Sequence, residues 1–159
     1  MNLSLSLQSR LQYQHQTVSE LILGFDEDRL KVRTIPEKWS PFENITHLVS
    51  YQMIFQTRIE KILTERNPVF ERYVAENDPV FYEYLKETPK SLLQKLCTIR
   101  EHICKQLNEL HPQELSRIGH HPKFGALTLV QWTEFFLLHE AHHLFTLFKL
   151  LTEAEAPSE

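Results

Sequence analysis

The sequence predicts an all-α protein that folds as a four-helix bundle. Only three of its 159 residues are glycine, and no stretch alternates apolar and polar residues in the way that half-buried strands do. Apolar residues recur instead at helical spacing in four long stretches, and capping residues, proline or glycine mark where the stretches begin and end. Four long helices in a chain of this length are typical of a bundle.

The first two helices have clear boundaries in the sequence. The first is predicted from about Leu3 to Leu23, with Gly24 at its C-terminal stop. Its apolar stripe consists of Leu3, Leu7, Leu11, His15, Val18, Ile22 and Phe25. The second is predicted from Ser40, where Ser-Pro-Phe-Glu supplies a capping box with proline at the first helical position, through about Glu65.

The last two helices are marked in the same way. Thr88 and Pro89 open the third helix, which is expected to stop before Pro112. A second capping box, Thr128-Leu129-Val130-Gln131, opens the fourth helix, which is expected to continue to about Leu151.

Three connections between the helices are long enough to cross an end of the bundle. They run from Asp26 to Trp39, from Arg66 to Glu87 and from His111 to Leu127. The middle connection is rich in aromatic residues, so a short extra helix or an ordered crossover segment is expected there. No strand is predicted in any of the three. We expect one domain over residues 1–152 and a disordered acidic tail over residues 153–159.

The charge pattern argues against a nucleic-acid-binding protein. The chain carries 17 basic and 21 acidic residues, interspersed, and a formal net charge of −4, so it offers no continuous cationic stripe for phosphate backbones. No apolar run approaches the length of a membrane span, and the N-terminal segment lacks the basic and apolar regions of a signal peptide. We therefore expect a cytoplasmic protein with no nucleic-acid partner and no membrane partner.

The fourth helix carries a histidine pair that indicates a metal site. His139-Glu140-Ala141-His142-His143 matches the H-E-x-x-H pattern of zinc proteases. On a helical wheel His139 and His143 lie about 40° apart, and Trp132 and Leu150 fall on their bisector, so the pair faces the core. Two buried imidazoles without a metal would need compensating hydrogen-bond partners, which makes a divalent metal the favoured interpretation.

The same pentapeptide does not favour a protease. Zinc proteases of this pattern need a third protein ligand, and no His-x-x-Gly-x-x-His continuation follows His143. They also present an edge strand to the substrate, and no strand is predicted here. A carboxylate-bridged di-iron bundle needs an E-x-x-H motif from each of two helices, whereas only Glu140 and His143 fit.

The third metal ligand therefore comes from upstream, and the residues leave two candidates open. His47 lies in the second turn of the second helix, but about 120° from the centre of its main apolar stripe. His15 lies on the apolar stripe of the first helix and is better placed by periodicity, although it also fits a hydrogen-bonded core histidine. His142 is a further candidate to replace or support a ligand.

Motifs spread over most of the chain resemble those of a known family. They are Arg33-x-x-Pro36-x-x-Trp39-Ser40-x-x-Glu43-x-x-x-His47-Leu48, His121-Pro122-x-Phe124-Gly125-x-Leu127-Thr128, Trp132 and His139-Glu140-x-x-His143-Leu144. In this order and spacing, from about Leu7 to Leu150, the chain resembles the DinB-like (YfiT-like) metalloprotein superfamily. The resemblance implies a four-helix bundle, often a homodimer, that binds one divalent metal ion through His47, His139 and His143.

The implied ligand set is typical of a catalytic site. Three neutral imidazoles leave a divalent ion with open positions, where it lowers the pKa of bound water to about 7 or activates a thiolate. The resemblance implies relatives that are thiol-dependent S-transferases and isomerases using bacillithiol, mycothiol or glutathione, and others described as metal-dependent hydrolases. We therefore expect an S-transferase that joins a low-molecular-weight thiol to a small electrophile. A metal-dependent hydrolase and a non-catalytic, stress-associated metal-binding bundle are the alternatives.

Further expectations concern the metal and the residues near it. The imidazole ligands suit zinc, nickel or iron. Glu140 is the expected catalytic residue, either as a general base or as the partner of a ligand histidine's second ring nitrogen. The candidates to contact an anionic thiol are Arg33, Arg58, Arg117, His120 and His121. The His120-His121-Pro122 segment is expected to act mainly in loop packing.

Overall fold

The computed structural model describes residues 2–155 and shows the predicted four-helix bundle. Its α-helices are α1 (Leu5–Tyr13), α2 (Thr17–Leu21), α3 (Glu27–Lys31), α4 (Pro41–Thr64), α5 (Pro79–Tyr84), α6 (Pro89–Glu109), α7 (Pro112–Leu115) and α8 (Leu129–Glu155). Two 3₁₀ turns lie at Gln14–Gln16 and Ala75–Asn77, and two short strands are β1 (Ile118–His121) and β2 (Gly125–Thr128). The first bundle element combines α1, the first 3₁₀ turn and α2. The other three are α4, α6 and α8.

Side-chain caps fix the starts of α4 and α8 where the sequence predicts them. The hydroxyl of Ser40 accepts a hydrogen bond from the backbone N–H of Glu43 at 3.1 Å, and the carboxylate of Glu43 accepts from the N–H of Ser40 at 2.8 Å. Thr128 and Gln131 make the equivalent reciprocal pair at 3.2 and 2.9 Å. These contacts satisfy N–H groups that the first turn of a helix leaves unpaired.

The first bundle element is interrupted, whereas the sequence predicts one continuous helix. It begins at Leu5, and α1 gives way to a 3₁₀ turn at Gln14. The side chain of Gln14 donates from Nε2 to the carbonyl of Leu137 at 2.9 Å, so α8 holds this turn by a tertiary contact that periodicity does not reveal. Gly24 follows the element with φ of 91°, the left-handed conformation that favours glycine after a helix.

The third connection contains a β-hairpin, so the prediction of no strand is wrong there. β1 and β2 pair antiparallel, with Ile118 opposite Thr128. The indole Nε1 of Trp132 donates to the carbonyl of Gly119 at 3.1 Å and holds the hairpin against α8. A Cβ atom at Gly119 would lie 2.7 Å from the ring of Phe70, so the close packing requires glycine. Strands of four residues with a glycine inside show too little alternation to be predicted.

The other connections agree better with the sequence. The first contains α3, and the second contains the 3₁₀ turn Ala75–Asn77 and α5, which confirms the short extra helix between the second and third bundle elements. At the far end, α8 continues to Glu155, beyond the predicted stop at Leu151. The rest of the predicted tail, residues 156–159, lies outside the described residues. No helix in the described part of the chain is both long and apolar enough to cross a membrane.

The core has two apolar halves separated by buried polar side chains. One half is built around Phe55, Trp132, Phe136 and Ile103, and the other around Ile45, Val49, Leu92 and Leu147. Four buried polar residues between the two halves, taken one from each bundle element, are called the polar layer: His15, Gln52, Arg100 and Glu140. Arg100 donates to Gln52 Oε1 at 2.9 Å and pairs with the carboxylate of Glu140, so the layer joins α4, α6 and α8.

The N-terminal half of α4 is buried on every side. From Pro41 to Gln52 each residue except Glu43 is buried or nearly so. The helix packs against α6 and α8 and also against α3 and α5 from the connections. Side chains away from its main apolar stripe, including His47, therefore also face the protein interior.

Candidate metal centre

Three histidines from α4 and α8 meet at one point of the bundle. His47, His139 and His143 each offer a ring nitrogen, and these atoms lie within 4.8 Å of one another. The Nε2 atoms of His47 and His139 are 3.2 Å apart. Two nitrogens bound to one ion at about 2.1 Å would be separated by about 3.0–3.4 Å, so the spacing fits a shared divalent metal. The structure thus brings together the three ligands that the resemblance implies.

A neighbouring amide orients one of the three rings. Nδ1 of His143 lies 3.0 Å from Oδ1 of Asn44, and the amide nitrogen of Asn44 donates to the carbonyl of Ser40 at 3.0 Å. Because Oδ1 is an acceptor, Nδ1 of His143 carries the proton and its Nε2 keeps a free lone pair. Such outer contacts set the tautomer and orientation of metal-binding histidines.

The other two rings lack a protein partner at Nδ1. Nδ1 of His47 and Nδ1 of His139 are buried, and neither has a hydrogen-bond partner among residues 2–153. A core histidine with a purely structural role normally has its buried ring nitrogens paired. A metal ion bound at the two Nε2 atoms would leave these Nδ1 atoms unpaired as well, so the fit to a metal rests on the Nε2 spacing and not on Nδ1.

The local environment keeps all three imidazoles neutral. Burial, followed by the charges of neighbouring histidines, lowers the pKa of His139 to about 2, and Arg58 adds to that effect. Burial and then His143 lower the pKa of His47 to about 3, while burial and then His142 lower the pKa of His143 to about 4. Metal binding requires unprotonated ring nitrogens, and these shifts provide them at neutral pH.

Aromatic rings surround the three histidines. The ring centre of Tyr51 lies 4.1 Å from that of His139, and the ring centre of Trp39 lies 5.0 Å from that of His47. Tyr73 stacks on His47 from another direction at 5.7 Å. These rings give the histidines partly apolar surroundings, in which electrostatic interactions are stronger than in water.

The histidines line a cavity of about 730 Å³. Its cationic side chains are Arg58, Arg72 and Lys123, and Glu76 is the one carboxylate among the described residues that line it. A cavity of this size holds a small-molecule ligand, and the excess of positive charge favours an anionic one.

The comparison with protein families identifies the chain. A model of the DinB superfamily matches residues 10–147. The chain belongs to the DinB superfamily.

Individual relatives in the DinB superfamily are distant in sequence but alike in fold. YuaE of Bacillus subtilis is 24% identical over 134 residues, which cover 76% of this chain and 82% of YuaE. The solved structure of YfiT from Bacillus subtilis, described as a probable metal-dependent hydrolase with an unusual four-helix bundle topology, superposes with a TM-score of 0.80 at 18% identity. The superposition covers 93% of this chain and 85% of YfiT. The DinB-like protein YjoA from Bacillus subtilis gives a TM-score of 0.58 at 15% identity, over 96% and 94% of the two chains.

Glu140 does not reach the site of this DinB-superfamily bundle. One carboxylate oxygen pairs with Arg100 in the polar layer, and the other accepts from Nε2 of Gln14 at 3.0 Å. Because Glu140 follows His139 by one residue, its side chain leaves α8 about 100° around the helix, toward α6 and the first bundle element. The structure therefore places the expected general base in a buried ion pair and outside the cavity lining.

The other two candidate ligands are not members of the histidine group, although the ring centre of His142 lies 5.3 Å from that of His143. His15 is buried in the polar layer, where burial and then Arg100 lower its pKa to about 4. His142 is exposed and lines a smaller cavity of about 350 Å³ next to Trp39. Within the described part of the chain, His47 is the histidine that completes the group with His139 and His143.

Two of the five candidate contacts for an anionic reactant line the large cavity. These are Arg58 and His121. Arg33 instead pairs with Glu43 at the surface, and Arg117 donates to the backbone carbonyl of Ile62 at 2.6 Å. His120 is not in the lining, but His121 and Pro122 are, so the expectation that this segment acts mainly in loop packing is incomplete. Arg72 and Lys123 are additional cavity residues that the sequence alone does not indicate.

Proposed function

We propose that this DinB-superfamily protein binds one divalent metal ion through His47, His139 and His143 and is a metal-dependent enzyme acting on a small molecule. The observation that carries the proposal is the meeting of three neutral imidazoles at the wall of a cavity. The group has three members among the described residues, so an ion held by it keeps positions for a further ligand. When bound, such an ion acts as a Lewis acid that lowers the pKa of bound water or of a bound thiol.

The protein side chains prepare the site for that chemistry. Asn44 orients the ring of His143, and burial keeps all three imidazoles unprotonated. Trp39 and Tyr51 pack against the histidine rings. These features support a reactive site, whereas a non-catalytic metal-binding bundle would not need a cavity beside the ion.

Within this class we propose a thiol-dependent S-transferase. The reactant thiolate attacks an electrophilic carbon, a carbon–sulfur bond forms, the leaving group departs with its bonding electrons, and the thiol proton passes to solvent. A metal ion alone can hold a thiol as thiolate, so this reaction does not require a protein base. That fits a cavity in which Glu76, which is exposed, is the one carboxylate of the described lining.

A hydrolase is the second candidate. It is favoured by the fold similarity to YfiT, which is described as a probable metal-dependent hydrolase. An ion held by His47, His139 and His143 would supply Lewis acidity toward water in such a reaction, and a carboxylate or histidine of the protein commonly assists as a general base. His121 in the cavity lining does not supply that base in its neutral form, because its Nδ1 accepts from the backbone N–H groups of Lys123 and Phe124 at 3.1 and 3.2 Å. Its Nε2 then carries the ring proton and can donate to a bound reactant.

Metal analysis and two activity assays test the proposal. Protein purified without a nickel column should contain one equivalent of divalent metal, and His47→Ala and His139→Ala should contain none. His142→Ala is the matched control on the same helix and should keep its metal. Conjugation of cysteine or glutathione to 1-chloro-2,4-dinitrobenzene tests the transferase, and cleavage of 4-nitrophenyl acetate tests the hydrolase.

The outcomes separate the candidates. Conjugation that depends on His139 supports the transferase, whereas ester cleavage without conjugation replaces it by the hydrolase. Full metal content with neither activity would favour a non-catalytic metal-binding protein. Wild-type protein that binds no divalent metal would overturn the proposal entirely.

A further inference from the structure

Arg58 on α4 is a buried cation with no acidic partner. Its side chain is 6% exposed, and no aspartate or glutamate in the described part of the chain forms an ion pair with it. One guanidinium N–H donates to the hydroxyl of Tyr51 at 3.2 Å and another to the backbone carbonyl of Glu71 at 3.2 Å. A guanidinium has five N–H donors, so most of its hydrogen-bonding capacity is unused. Burying a charge without a counter-ion is unfavourable, and this position therefore needs an explanation.

A second buried arginine in the same bundle shows what a structural role looks like. Arg100 is 1% exposed, pairs with Glu140, donates to Gln52 at 2.9 Å and donates to the carbonyl of Leu11 at 3.0 Å. Its charge is neutralised, and its guanidinium N–H groups donate to three different acceptors. Arg100 lies outside the lining of the large cavity, whereas Arg58 lies in it. The difference between the two indicates that the missing partner of Arg58 is a ligand.

Aromatic rings hold the guanidinium of Arg58 in place. Its central carbon lies 5.2 Å from the ring centre of Trp132, 5.6 Å from that of Phe70 and 5.8 Å from that of Tyr51. Cation–π attraction of this kind compensates part of the buried charge and fixes the plane of the group. A guanidinium fixed in this way loses little further entropy when it binds a planar anion.

Arg58 also lies close to the three histidines. Tyr51 accepts the hydrogen bond from Arg58, and its ring centre lies 4.1 Å from that of His139. One aromatic side chain therefore separates the guanidinium from the histidine group. Arg72 and Lys123 add exposed positive charge to the same cavity, which attracts anions toward it.

We propose that Arg58 is the anion subsite of the cavity and binds the carboxylate of a small-molecule reactant. The planar fork of its N–H groups matches a carboxylate in a bidentate geometry. This inference rests on the proposed function, because the bound carboxylate positions the rest of the reactant beside His47, His139 and His143. The carboxylate belongs either to the thiol or to the electrophile, and the two sources are separated below.

Binding to metal-free protein tests the subsite without any need for turnover. Calorimetric titration should show that benzoate binds the wild type more tightly than benzamide, its neutral analogue. In Arg58→Met the affinity for benzoate should fall about 10- to 100-fold, because a charge-assisted bond is lost, while the affinity for benzamide stays the same. Arg58→Lys, which keeps the charge but not the fork, should lie between the two. Arg72→Met is the matched control for an exposed cation of the same cavity and should change benzoate binding by less than threefold.

Urea unfolding distinguishes a ligand-binding role from a structural role. Loss of a structural arginine would lower the urea concentration at which the protein unfolds. If Arg58 is held for a ligand, Arg58→Met should unfold at the same or a higher urea concentration than the wild type, because an unpaired buried charge is removed. Equal binding of benzoate and benzamide by the wild type would overturn the subsite, as would an unchanged preference in Arg58→Met. If Arg58→Met does not fold, Arg58→Lys provides the test. Benzoate affinity equal to that of the wild type in Arg58→Lys would overturn bidentate recognition by the guanidinium.

A second pair of ligands identifies the source of the carboxylate. In metal-loaded protein, tighter binding of 3-mercaptopropionate than of 2-mercaptoethanol, lost in Arg58→Met, assigns the carboxylate to the thiol. If the protein prefers benzoate over benzamide but binds the two thiols equally, the carboxylate belongs to the electrophile. Failure of metal binding in the histidine experiments would leave the benzoate titration intact, so the proposed function and the subsite fail separately.

Discussion

His47 on α4 and His139 on α8 approach each other with their Nε2 atoms 3.2 Å apart, although they are separated by 92 positions in the sequence. Nothing local to either helix creates this contact, because it depends on how the two helices pack. His143 offers a third ring nitrogen within 4.8 Å of these two, so a single ion can reach one nitrogen of each ring. In the folded protein α4 and α8 therefore each contribute histidines to one ligand set.

Metal binding should stabilise the fold through this ligand set. An ion that binds only the folded chain, at a free concentration 100 times its dissociation constant, stabilises the fold by about 2.7 kcal/mol. Added zinc or nickel should therefore raise the free energy of unfolding of the wild type, and a chelator should reverse the change. His47→Ala should show no such response in urea unfolding. An equal response in His47→Ala would mean that the ion binds elsewhere.

The four-helix bundle could be predicted because its signals are local. The capping box at Ser40 and the threonine before Pro89 fix helix starts through contacts between residues three apart, which the sequence displays directly. The hairpin could not be predicted, since Gly119 is held by Trp132 and Phe70, both distant in sequence.

The candidate site could be predicted only in part, for the same reason. His139 and His143 share one face of a helix, and spacing alone reveals that. His47 lies off the main apolar stripe of α4, and only the packing of α3 and α5 around that helix shows that this side is buried too. Arg58 is indistinguishable in sequence from a solvated surface arginine until its burial and its lack of an acidic partner are seen.

The contact between Asn44 and His143 predicts an effect on metal affinity. Asn44→Leu removes the acceptor for Nδ1 of His143, whereas Asn44→Asp keeps it, and both lose the bond to the carbonyl of Ser40. The leucine variant should bind metal about 10- to 100-fold more weakly than the aspartate variant. Competition with a metal-sensitive dye measures the ratio. Equal affinities would show that Asn44 does not orient the ligand ring.

The ion pair between Glu140 and Arg100 predicts a loss of stability and not of metal. Glu140→Ala leaves the guanidinium of Arg100 buried beside Gln52 without a counter-ion, which should lower the free energy of unfolding by about 3–5 kcal/mol. The double variant Glu140→Leu with Arg100→Met should recover most of that loss. Urea unfolding and metal content measure the two effects. Loss of metal with unchanged stability in Glu140→Ala would instead place the carboxylate at the metal.

A homodimer stays a prediction, and one face of α8 offers a way to test it. Leu138, Phe145 and Phe148 are 57%, 61% and 50% exposed and lie on one side of the helix. If a second copy of the chain packs there, Phe145→Glu should convert a dimer into a monomer in sedimentation velocity. Val69→Glu, at a position that is 77% exposed in the second connection and not on α8, is the control and should leave the dimer intact. A dimer that survives in Phe145→Glu would exclude this face.

The buried His15 predicts a specific loss of stability in acid. Burial, followed by the charge of Arg100, lowers its pKa to about 4, whereas a histidine in an unfolded chain has a pKa of about 6.5. Below pH 6.5 the unfolded chain therefore takes up a proton that the folded chain refuses, so the free energy of unfolding falls as the pH drops and levels off below about pH 4.

His15→Leu isolates that contribution. Nδ1 of His15 has no partner in the described structure, so leucine removes the titration without breaking a hydrogen bond at that atom. Between pH 7 and pH 4, in chelator, the wild type should lose about 3 kcal/mol more than the variant. The metal-binding histidines titrate in both proteins, so their effect cancels in the difference between the two urea unfolding series. Parallel pH profiles would show that His15 is protonated without penalty, and that its place in the polar layer is open to water.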